Sequence, residues 1–288
     1  MTDPATFPIG TKAVRRIGFG AMQLPGPDVF GPPRDHAEAL RVLRRAVELG
    51  VDHIDTAQFY GPDVANDLIR EALHPYSDDL VLVSKVGAKR DAQGGWLPAA
   101  TPAELRAGVL DNLRSLGVEQ LGAVNLRVFE PAAPDAAFEE RLAALVAIRD
   151  EGLIAGVGVS NVSLAQFERA TNLTSIVCVQ NLFNVIDRSS ASVLEACAER
   201  GVAFVPFFPM GSGFAGMNQV LDAPAVTETA TRLGVTPGQV ALAWVLAQGP
   251  NVLLIPGTSS VAHLEQNLAA GDVVLDDEAL AALDAIAA

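Results

Sequence analysis

Leu80-Val81-Leu82-Val83-Ser84-Lys85-Val86 is a short apolar run with one lysine near its end, and the next such run, residues 123–128, follows a segment of helical periodicity. Alternation of this kind is typical of repeated βα units, which build parallel sheets. Eight runs occur, at residues 17–20, 53–56, 80–86, 123–128, 155–160, 176–180, 203–208 and 252–256. Eight parallel strands predict an α/β fold closed into a (β/α)8 TIM barrel, with residues 1–288 forming a single domain.

The segments between these runs begin and end with helix signals. Three of them begin with a capping box, at Thr101-Pro102-Ala103-Glu104, Ser163-Leu164-Ala165-Gln166 and Thr236-Pro237-Gly238-Gln239. Gly50 and Gly117 are placed to end helices in the left-handed conformation. Residues 7–14 predict an N-terminal β-hairpin at the barrel bottom, and residues 276–287 an extra C-terminal helix.

Composition excludes several classes of partner. The formal net charge of −14 disfavours nucleic acids and anionic membranes, which attract basic proteins. No apolar stretch is long enough to span a bilayer, and residues 1–4 do not begin a secretory signal. Cys178 and Cys197 are expected to be buried, reduced thiols. We therefore expect a cytoplasmic monomer or small homo-oligomer whose partner is a small molecule, without nucleic acid or membrane contact.

Polar residues lie at the ends of several predicted strands, where a barrel of this kind places its active site. They are Asp55, Lys85, Asn125, Ser160, Asn161, Gln180 and Asn181. The histidines are scattered without the spacing of metal ligands, so no metal site is expected. Two connections, residues 87–100 and 209–222, are long for βα loops and are expected to be functional.

Asp55, Tyr60 and Lys85 form a set suited to carbonyl chemistry. Asp55 and Lys85 end neighbouring predicted strands, and Tyr60 lies in the loop that follows Asp55. A nearby ammonium stabilises phenolate and therefore lowers the pKa of a tyrosine from about 10. Asp55 would keep Lys85 protonated, and Tyr60 would protonate a carbonyl oxygen while hydride reaches the carbon.

The chain resembles the aldo-keto reductase superfamily. Four segments carry the resemblance, in family order across nearly the whole chain: HIDTAQFYG (residues 53–61), VSKVG (83–87), GVSN (158–161) and IPGTSS (255–260). Three further segments are more similar to bacterial pyridoxal reductases: GFGAMQL (18–24), FGPPRD (30–35) and NLRV (125–128). The resemblance implies reduction of an aldehyde, with pyridoxal to pyridoxine as its specific version.

A catalytic tetrad is also implied by the resemblance. Asp55, Tyr60 and Lys85 match three of its members, and Asn125 is assigned to the place where the family usually has histidine. An amide donates hydrogen bonds but does not titrate near neutral pH. Asn125 is therefore expected to orient and polarise the substrate carbonyl, or else to satisfy buried backbone groups.

The cofactor implied by the resemblance is NADPH, with NADH less favoured. The carboxamide is assigned to Ser160, Asn161 and Gln180, ring stacking to Phe207, and the helix-opening phosphate site to residues 257–259. The complete set expected to contact cofactor is Met22, Ser160, Asn161, Gln180, Phe207, Pro209, Gly211, Gly257, Thr258, Ser259, His263, Gln266 and Asn267. Families that select the 2′-phosphate often have lysine and arginine at the positions of Gly257 and His263.

Several assignments leave two interpretations open. Trp96 is expected either to line the substrate pocket or to cover apolar surface, and Arg127 either to meet substrate or to pair with a carboxylate. For the whole protein, a redox-sensing regulatory subunit that binds NADPH with slow turnover is the main alternative. A Schiff-base enzyme with Lys85 as nucleophile ranks below both.

Overall fold

The structure, a computed structural model, describes residues 5–211 and 219–287. The strands are β1 (Thr6–Ile9), β2 (Lys12–Arg15), β3 (Phe19–Gly20), β4 (His53–Asp55), β5 (Val81–Arg90), β6 (Trp96–Ala99), β7 (Ala123–Arg127), β8 (Val157–Ser160), β9 (Ile176–Gln180) and β10 (Ala203–Phe204). The helices are α1 (His36–Glu48), α2 (Val64–Leu73), α3 (Pro102–Leu116), α4 (Ala136–Asp150), α5 (Leu164–Leu173), α6 (Ala191–Arg200), α7 (Gln219–Asp222), α8 (Pro224–Leu233), α9 (Pro237–Ala247), α10 (Val261–Leu268) and α11 (Asp277–Asp284). Strands and helices alternate as the sequence predicts.

Parallel pairing runs in the order β10-β9-β8-β7-β5-β4-β3. The last predicted run, residues 252–256, joins the two edges through single parallel bridges, from Val252 to Phe204 and from Leu254 to Ile17. The Leu254 N–H donates to the Arg16 carbonyl at 2.7 Å, and the Leu253 N–H to the Phe204 carbonyl at 2.9 Å. These bonds close the sheet into the predicted TIM barrel, although residues 252–256 do not form a continuous strand.

The helix signals act as predicted. Thr101, Ser163 and Thr236 each form a complete capping box at the start of α3, α5 and α9. Gly117 ends α3 at φ 71°, which glycine adopts without steric cost. The extra C-terminal helix is α11, and a short 3₁₀ turn at Ala285–Ala287 follows it.

The hairpin of β1 and β2 fills the bottom of the barrel. Ile9 and Val14 are buried against the barrel interior, in a cluster that includes Val81, Val83 and Leu253. Side chains alternate along a strand, so Val81, Val83 and Lys85 share the inner face of β5 at successive levels. The interior is therefore apolar at the bottom and becomes polar towards the carboxyl ends of the strands.

One predicted loop has regular structure. Residues 87–100 were expected to form a long βα loop, and within them β5 continues to Arg90 and pairs with β6 in an antiparallel hairpin. Of the other long connection, residues 212–218 lie outside the described residues, and α7 follows them. Within the described ranges, no helix has the length and apolar content that crossing a bilayer requires.

Candidate active site

Asp55 and Lys85 form a buried ion pair at the carboxyl ends of β4 and β5. Lys85 Nζ donates to Asp55 Oδ1 and, at 3.1 Å, to the Thr56 carbonyl. Lys85 Nζ also lies 5.1 Å from the centroid of the Tyr60 ring. The exposed fractions of Asp55, Tyr60 and Lys85 are 3%, 6% and 7%, so bulk water screens these charges poorly.

The pKa values of this group follow from burial and charge together. Burial lowers the pKa of Lys85, but the Asp55 carboxylate and the Tyr60 phenol more than offset burial, and the pKa of Lys85 lies above its ordinary value. Burial raises the pKa of Tyr60, and the lowering effect of Lys85 does not compensate for it. The sequence-based expectation of a lowered Tyr60 pKa is therefore wrong for the protein alone, because desolvation outweighs the ammonium.

Gln180, at the end of β9, completes the environment of Asp55. Its Nε2 donates to Asp55 Oδ2 at 2.5 Å, while Lys85 occupies the other carboxylate oxygen. Among the described residues, Gln180 Oε1 has no hydrogen-bond partner although it is buried. A buried acceptor without a partner is costly, so this oxygen is available to a donor from a bound molecule.

Two cavities meet at Tyr60. One, of about 300 Å³, is largely aromatic and is lined by Met22, Phe59, Tyr60, Lys85, Ala88, Trp96, Arg127, Phe129, Ser160, Phe207 and Phe208. The other, of about 270 Å³, extends over the barrel and is lined by Gly20, Met22, Gln23, Asp55, Tyr60, Lys85, Gln180, Phe207, Phe208, Pro209, Met210, Gly211, Leu221, Ile255, Pro256 and Gly257. We call them the aromatic cavity and the glycine-lined cavity. Tyr60 and Lys85 contribute to both.

The structure places Asn125 away from this junction and Arg127 at it. Asn125 is fully buried, and its Oδ1 accepts from the Cys178 thiol at 3.3 Å. It lines neither cavity, whereas Arg127 lines the aromatic cavity. Two residues along a strand correspond to about 6.6 Å, so Asn125 lies one level deeper than Arg127. The expected role of Asn125 beside the substrate carbonyl stays a prediction, and its buried Nδ2 has no hydrogen-bond partner among the described residues.

Arg127 is held by β8 and an aromatic ring. Its Nη1 donates to Ser160 Oγ at 3.2 Å, and its guanidinium carbon lies 5.2 Å from the centroid of the Phe207 ring. Burial lowers the pKa of Arg127. Ser160 is fully buried, so this contact fixes the guanidinium between β7 and β8.

Trp96 belongs to the wall of the aromatic cavity and also covers a neighbouring arginine. Arg90 stacks on the Trp96 ring at 4.0 Å, and the Phe59 ring meets it edge to face at 5.7 Å. Arg90 itself donates to the carbonyls of Gly94, Val29 and Asp28 at 2.9 to 3.1 Å. The hairpin of β5 and β6 is thus fastened to the loop after β3.

The glycine-lined cavity contains several of the residues predicted to contact cofactor. Met22, Gln180, Phe207, Pro209, Gly211 and Gly257 line it. Gly20 and Gly257 let the β3 end and residues 255–257 approach closely: a Cβ on Gly20 would lie 2.4 Å from the Ile255 carbonyl oxygen, and one on Gly257 would lie 2.6 Å from the Gly20 carbonyl oxygen. The narrow floor of this cavity therefore requires glycine at both positions.

Asn161 and Thr258 use their side chains within the protein. Asn161, at φ 60°, donates from Nδ2 to the carbonyls of Val128 and Phe129 at 2.8 and 3.0 Å. Thr258 Oγ1 accepts from the Ser260 N–H at 3.1 Å. Neither residue lines the two cavities that meet at Tyr60. Both shape the loops of the site.

The start of α10 carries an acidic neighbour that the sequence did not indicate. The helix begins at Val261, and the Val261 N–H donates to Glu38 Oε1 of α1 at 3.1 Å. This bond lowers the pKa of Glu38. Beside this end, Ser259, His263 and Gln266 are exposed and Asn267 is buried. One of the helix N–H groups expected to attract phosphate is thus already bonded to a carboxylate.

Comparison with known proteins identifies the family. A model of the Aldo/keto reductase family matches residues 16–288. The chain belongs to this family. Pyridoxine 4-dehydrogenase of Escherichia coli is 51% identical over 286 residues, which cover 98% of each chain. An uncharacterized oxidoreductase of Schizosaccharomyces pombe is 39% identical over 98% of this chain and 90% of its own.

Solved structures agree with this aldo/keto reductase fold. The crystal structure of an aldo/keto reductase from Klebsiella pneumoniae in complex with NADP and acetate has a TM-score of 0.80 and 26% identity, covering 98% of this chain and 95% of that chain. The similarity extends over nearly the whole barrel. The present chain is therefore an oxidoreductase with the TIM-barrel fold of its family.

Sequence reasoning missed part of the aromatic cavity of this aldo/keto reductase. Phe59, Phe129 and Phe208 line it but were not singled out. Phe129 lies two residues beyond Arg127, and strand periodicity offered a signal for it. Phe208 has φ 56°, a strained backbone that redirects the chain at the cavity rim and leaves no local sequence signal.

Proposed function

We propose that this aldo/keto reductase reduces the aldehyde of pyridoxal to the alcohol of pyridoxine with NADPH, and that Tyr60 donates the proton. The observation that carries the proposal is the position of Tyr60, which lies where the aromatic and glycine-lined cavities meet, beside the ion pair of Lys85 and Asp55. The E. coli relative named pyridoxine 4-dehydrogenase supports this choice of substrate.

The glycine-lined cavity suits a nicotinamide nucleotide. Gln180 Oε1 is a buried acceptor that the described residues leave unsatisfied, and a carboxamide NH₂ would satisfy it. Phe207 offers an aromatic ring among the residues that line this cavity. The Klebsiella relative solved with NADP supports NADPH, with NADH less favoured.

Each polar residue of the junction has a separate role in this mechanism. NADPH, when bound, supplies the hydride that reaches the carbonyl carbon. Tyr60 Oη donates its proton to the carbonyl oxygen, so that one hydride and one proton convert the aldehyde into the alcohol. Lys85, kept protonated by Asp55, stabilises the phenolate left on Tyr60. Solvent then returns a proton to Tyr60.

The aromatic cavity is suited to a small ring. Phe59, Trp96 and Phe129 provide flat walls, and ring stacking favours an aromatic aldehyde over an aliphatic one. At about 300 Å³ the cavity accommodates one ring with small substituents and excludes bulky substrates.

The ionisation of Lys85 disfavours the Schiff-base alternative. A lysine must be neutral to attack a carbonyl, whereas the pKa of Lys85 lies above its ordinary value and its ammonium is bonded to Asp55 and the Thr56 carbonyl. Lys85 therefore remains a charged neighbour of Tyr60 in the proposed mechanism.

The proposed function is tested by following NADPH oxidation with pyridoxal and with simple aromatic aldehydes. We expect turnover of pyridoxal and formation of pyridoxine in equal amount to NADPH consumed. If NADPH is oxidised with other aromatic aldehydes but not with pyridoxal, the protein is still an aldehyde reductase, and pyridoxal is refuted as its substrate. Tight NADPH binding without turnover of any aldehyde would favour the regulatory-subunit hypothesis instead.

A further inference from the structure

Arg127 is a partly buried cation without a carboxylate partner among the described residues. Its side chain bonds to Ser160 Oγ and stacks near Phe207, and no carboxylate in residues 5–211 or 219–287 lies within 4.0 Å of it. Surface arginines of the same chain behave differently: Arg106 and Arg169 each form two hydrogen bonds to one glutamate. Arg127, which lines the cavity, therefore differs from these surface arginines in having no carboxylate partner among the described residues.

A guanidinium keeps its charge under burial. Desolvation lowers the pKa of Arg127, but arginine begins so high that it stays protonated in proteins. A buried charge is costly unless it is paired and hydrogen-bonded. Ser160 accepts from one of its five N–H donors, and Arg127 lines the aromatic cavity.

Both oxygens of the nearby Asp55 carboxylate already accept hydrogen bonds. Asp55 accepts from Lys85 with one oxygen and from Gln180 with the other. The aromatic cavity therefore contains the charges of Lys85 and Arg127 on its lining, without an acidic side chain among its lining residues. Aromatic walls around an unbalanced cation select a flat, anionic ring over a neutral one.

We propose that Arg127 binds an ionised oxygen on the ring atom next to the carbon that bears the aldehyde. This inference rests on the proposed function, because Tyr60 fixes where the aldehyde oxygen lies and Arg127 lines the same cavity. The substrate class is thus the aromatic aldehydes with an acidic ortho hydroxyl. In pyridoxal that group is the 3-hydroxyl, which the protonated ring nitrogen makes more acidic than an ordinary phenol.

The test compares pyridoxal with 3-deoxypyridoxal, which lacks only the hydroxyl, on the full-length protein with saturating NADPH. A charge-assisted hydrogen bond predicts a native kcat/KM ratio of about 10- to 100-fold in favour of pyridoxal. In Arg127→Met the ratio should fall to nearly one, and in Arg127→Lys to an intermediate value, because lysine keeps the charge without the fork. Arg90→Met is the matched control, since Arg90 bonds to backbone carbonyls and stacks on Trp96, and it should retain the native ratio.

A native ratio near one would overturn the inference while pyridoxal reduction itself stands. A ratio that survives in Arg127→Met would also overturn it, because another group would then recognise the hydroxyl. A binding readout separates this inference from the proposed function: 4-deoxypyridoxine retains the 3-hydroxyl but has an unreactive methyl group at the 4-position, where pyridoxal has its aldehyde. Calorimetry on NADPH-loaded protein should show affinity about tenfold or more weaker in Arg127→Met than in the native protein. Equal affinities, or no binding to the native protein, would refute anion recognition even if neither aldehyde is turned over.

Discussion

Gln180 donates a hydrogen bond of 2.5 Å to Asp55, across the barrel from β9 to β4. Because a carboxylate only accepts, the amide must present its nitrogen to Asp55, which leaves its buried oxygen without a partner among the described residues. Asp55 therefore orients two functional groups at once, the ammonium of Lys85 and the amide of Gln180. The ion pair beside Tyr60 and the cavity assigned to NADPH share one carboxylate.

Replacing Gln180 should weaken cofactor binding. Gln180→Ala removes the free acceptor, and one neutral hydrogen bond corresponds to about a 3- to 10-fold rise in the Kd of NADPH, measured by fluorescence titration. Gln166 provides a matched control, because it is also a buried glutamine but belongs to the capping box of α5. Gln166→Ala should lower stability and leave the Kd unchanged. A Kd unaffected by Gln180→Ala would show that this amide does not contact the cofactor.

The pH dependence of reduction should follow the raised pKa of Tyr60. Burial raises this pKa, and Asp55 together with Tyr60 raises that of Lys85, so the acid form of both groups persists to alkaline pH. We expect kcat/KM to stay level between about pH 6 and 9 and to fall only near or above pH 10. A full pH profile of NADPH-dependent pyridoxal reduction measures this. Loss of activity through an ionisation near pH 7 would assign the essential acid to another group.

Asn125 should matter more for packing than for chemistry. Its amide contacts Cys178 and lies against Gly158, one level below the cavity. Asn125→Ala should lower the free energy of unfolding by about 1–2 kcal/mol in denaturant titrations. Its effect on kcat/KM should remain below about tenfold. A hundredfold loss of kcat/KM with unchanged stability would restore the role that the sequence suggested, orientation of the substrate carbonyl.

Glu38 should limit the preference for a phosphorylated cofactor. Its carboxylate accepts from the Val261 N–H at the start of α10, beside the residues assigned to the adenosine end. Glu38→Gln removes that negative charge. At low salt it should lower the Kd of NADPH by about 2- to 5-fold and leave the Kd of NADH unchanged. The control is Glu265→Gln, which removes one negative charge from α10 itself, where Glu265 pairs with Arg45 of α1 at 2.9 Å. Equal effects of the two substitutions, or of one substitution on both cofactors, would contradict a local phosphate site.

Much of the barrel could be predicted from sequence because its signals are local. Capping boxes at Thr101, Ser163 and Thr236 and the alternating apolar runs define helices and strands without reference to the rest of the fold. The juxtaposition of Asp55 and Lys85 also followed, since parallel strands bring their carboxyl ends together.

The level of each side chain in the barrel could not be predicted in the same way. Asn125 and Arg127 share strand parity, so the alternation of side chains along the strand could not show which of the two lines the cavity. The hairpin at residues 87–99 was not predicted, because the pairing of β6 with the end of β5 depends on the register of the two strands, which the sequence does not show. The pKa of Tyr60 was misjudged because sequence shows the neighbouring charge but not the extent of desolvation.

The most direct test of the account is pyridoxal reduction by Tyr60→Phe, compared with the native protein at saturating NADPH and with the Kd of NADPH measured in parallel. The substitution removes only the phenol oxygen and retains the ring that lies 5.4 Å from Phe59. Positioned proton transfer contributes about 10²- to 10⁴-fold, so kcat should fall within that range while the Kd of NADPH changes little. Retention of native kcat by Tyr60→Phe would contradict the assignment of Tyr60 as the proton donor.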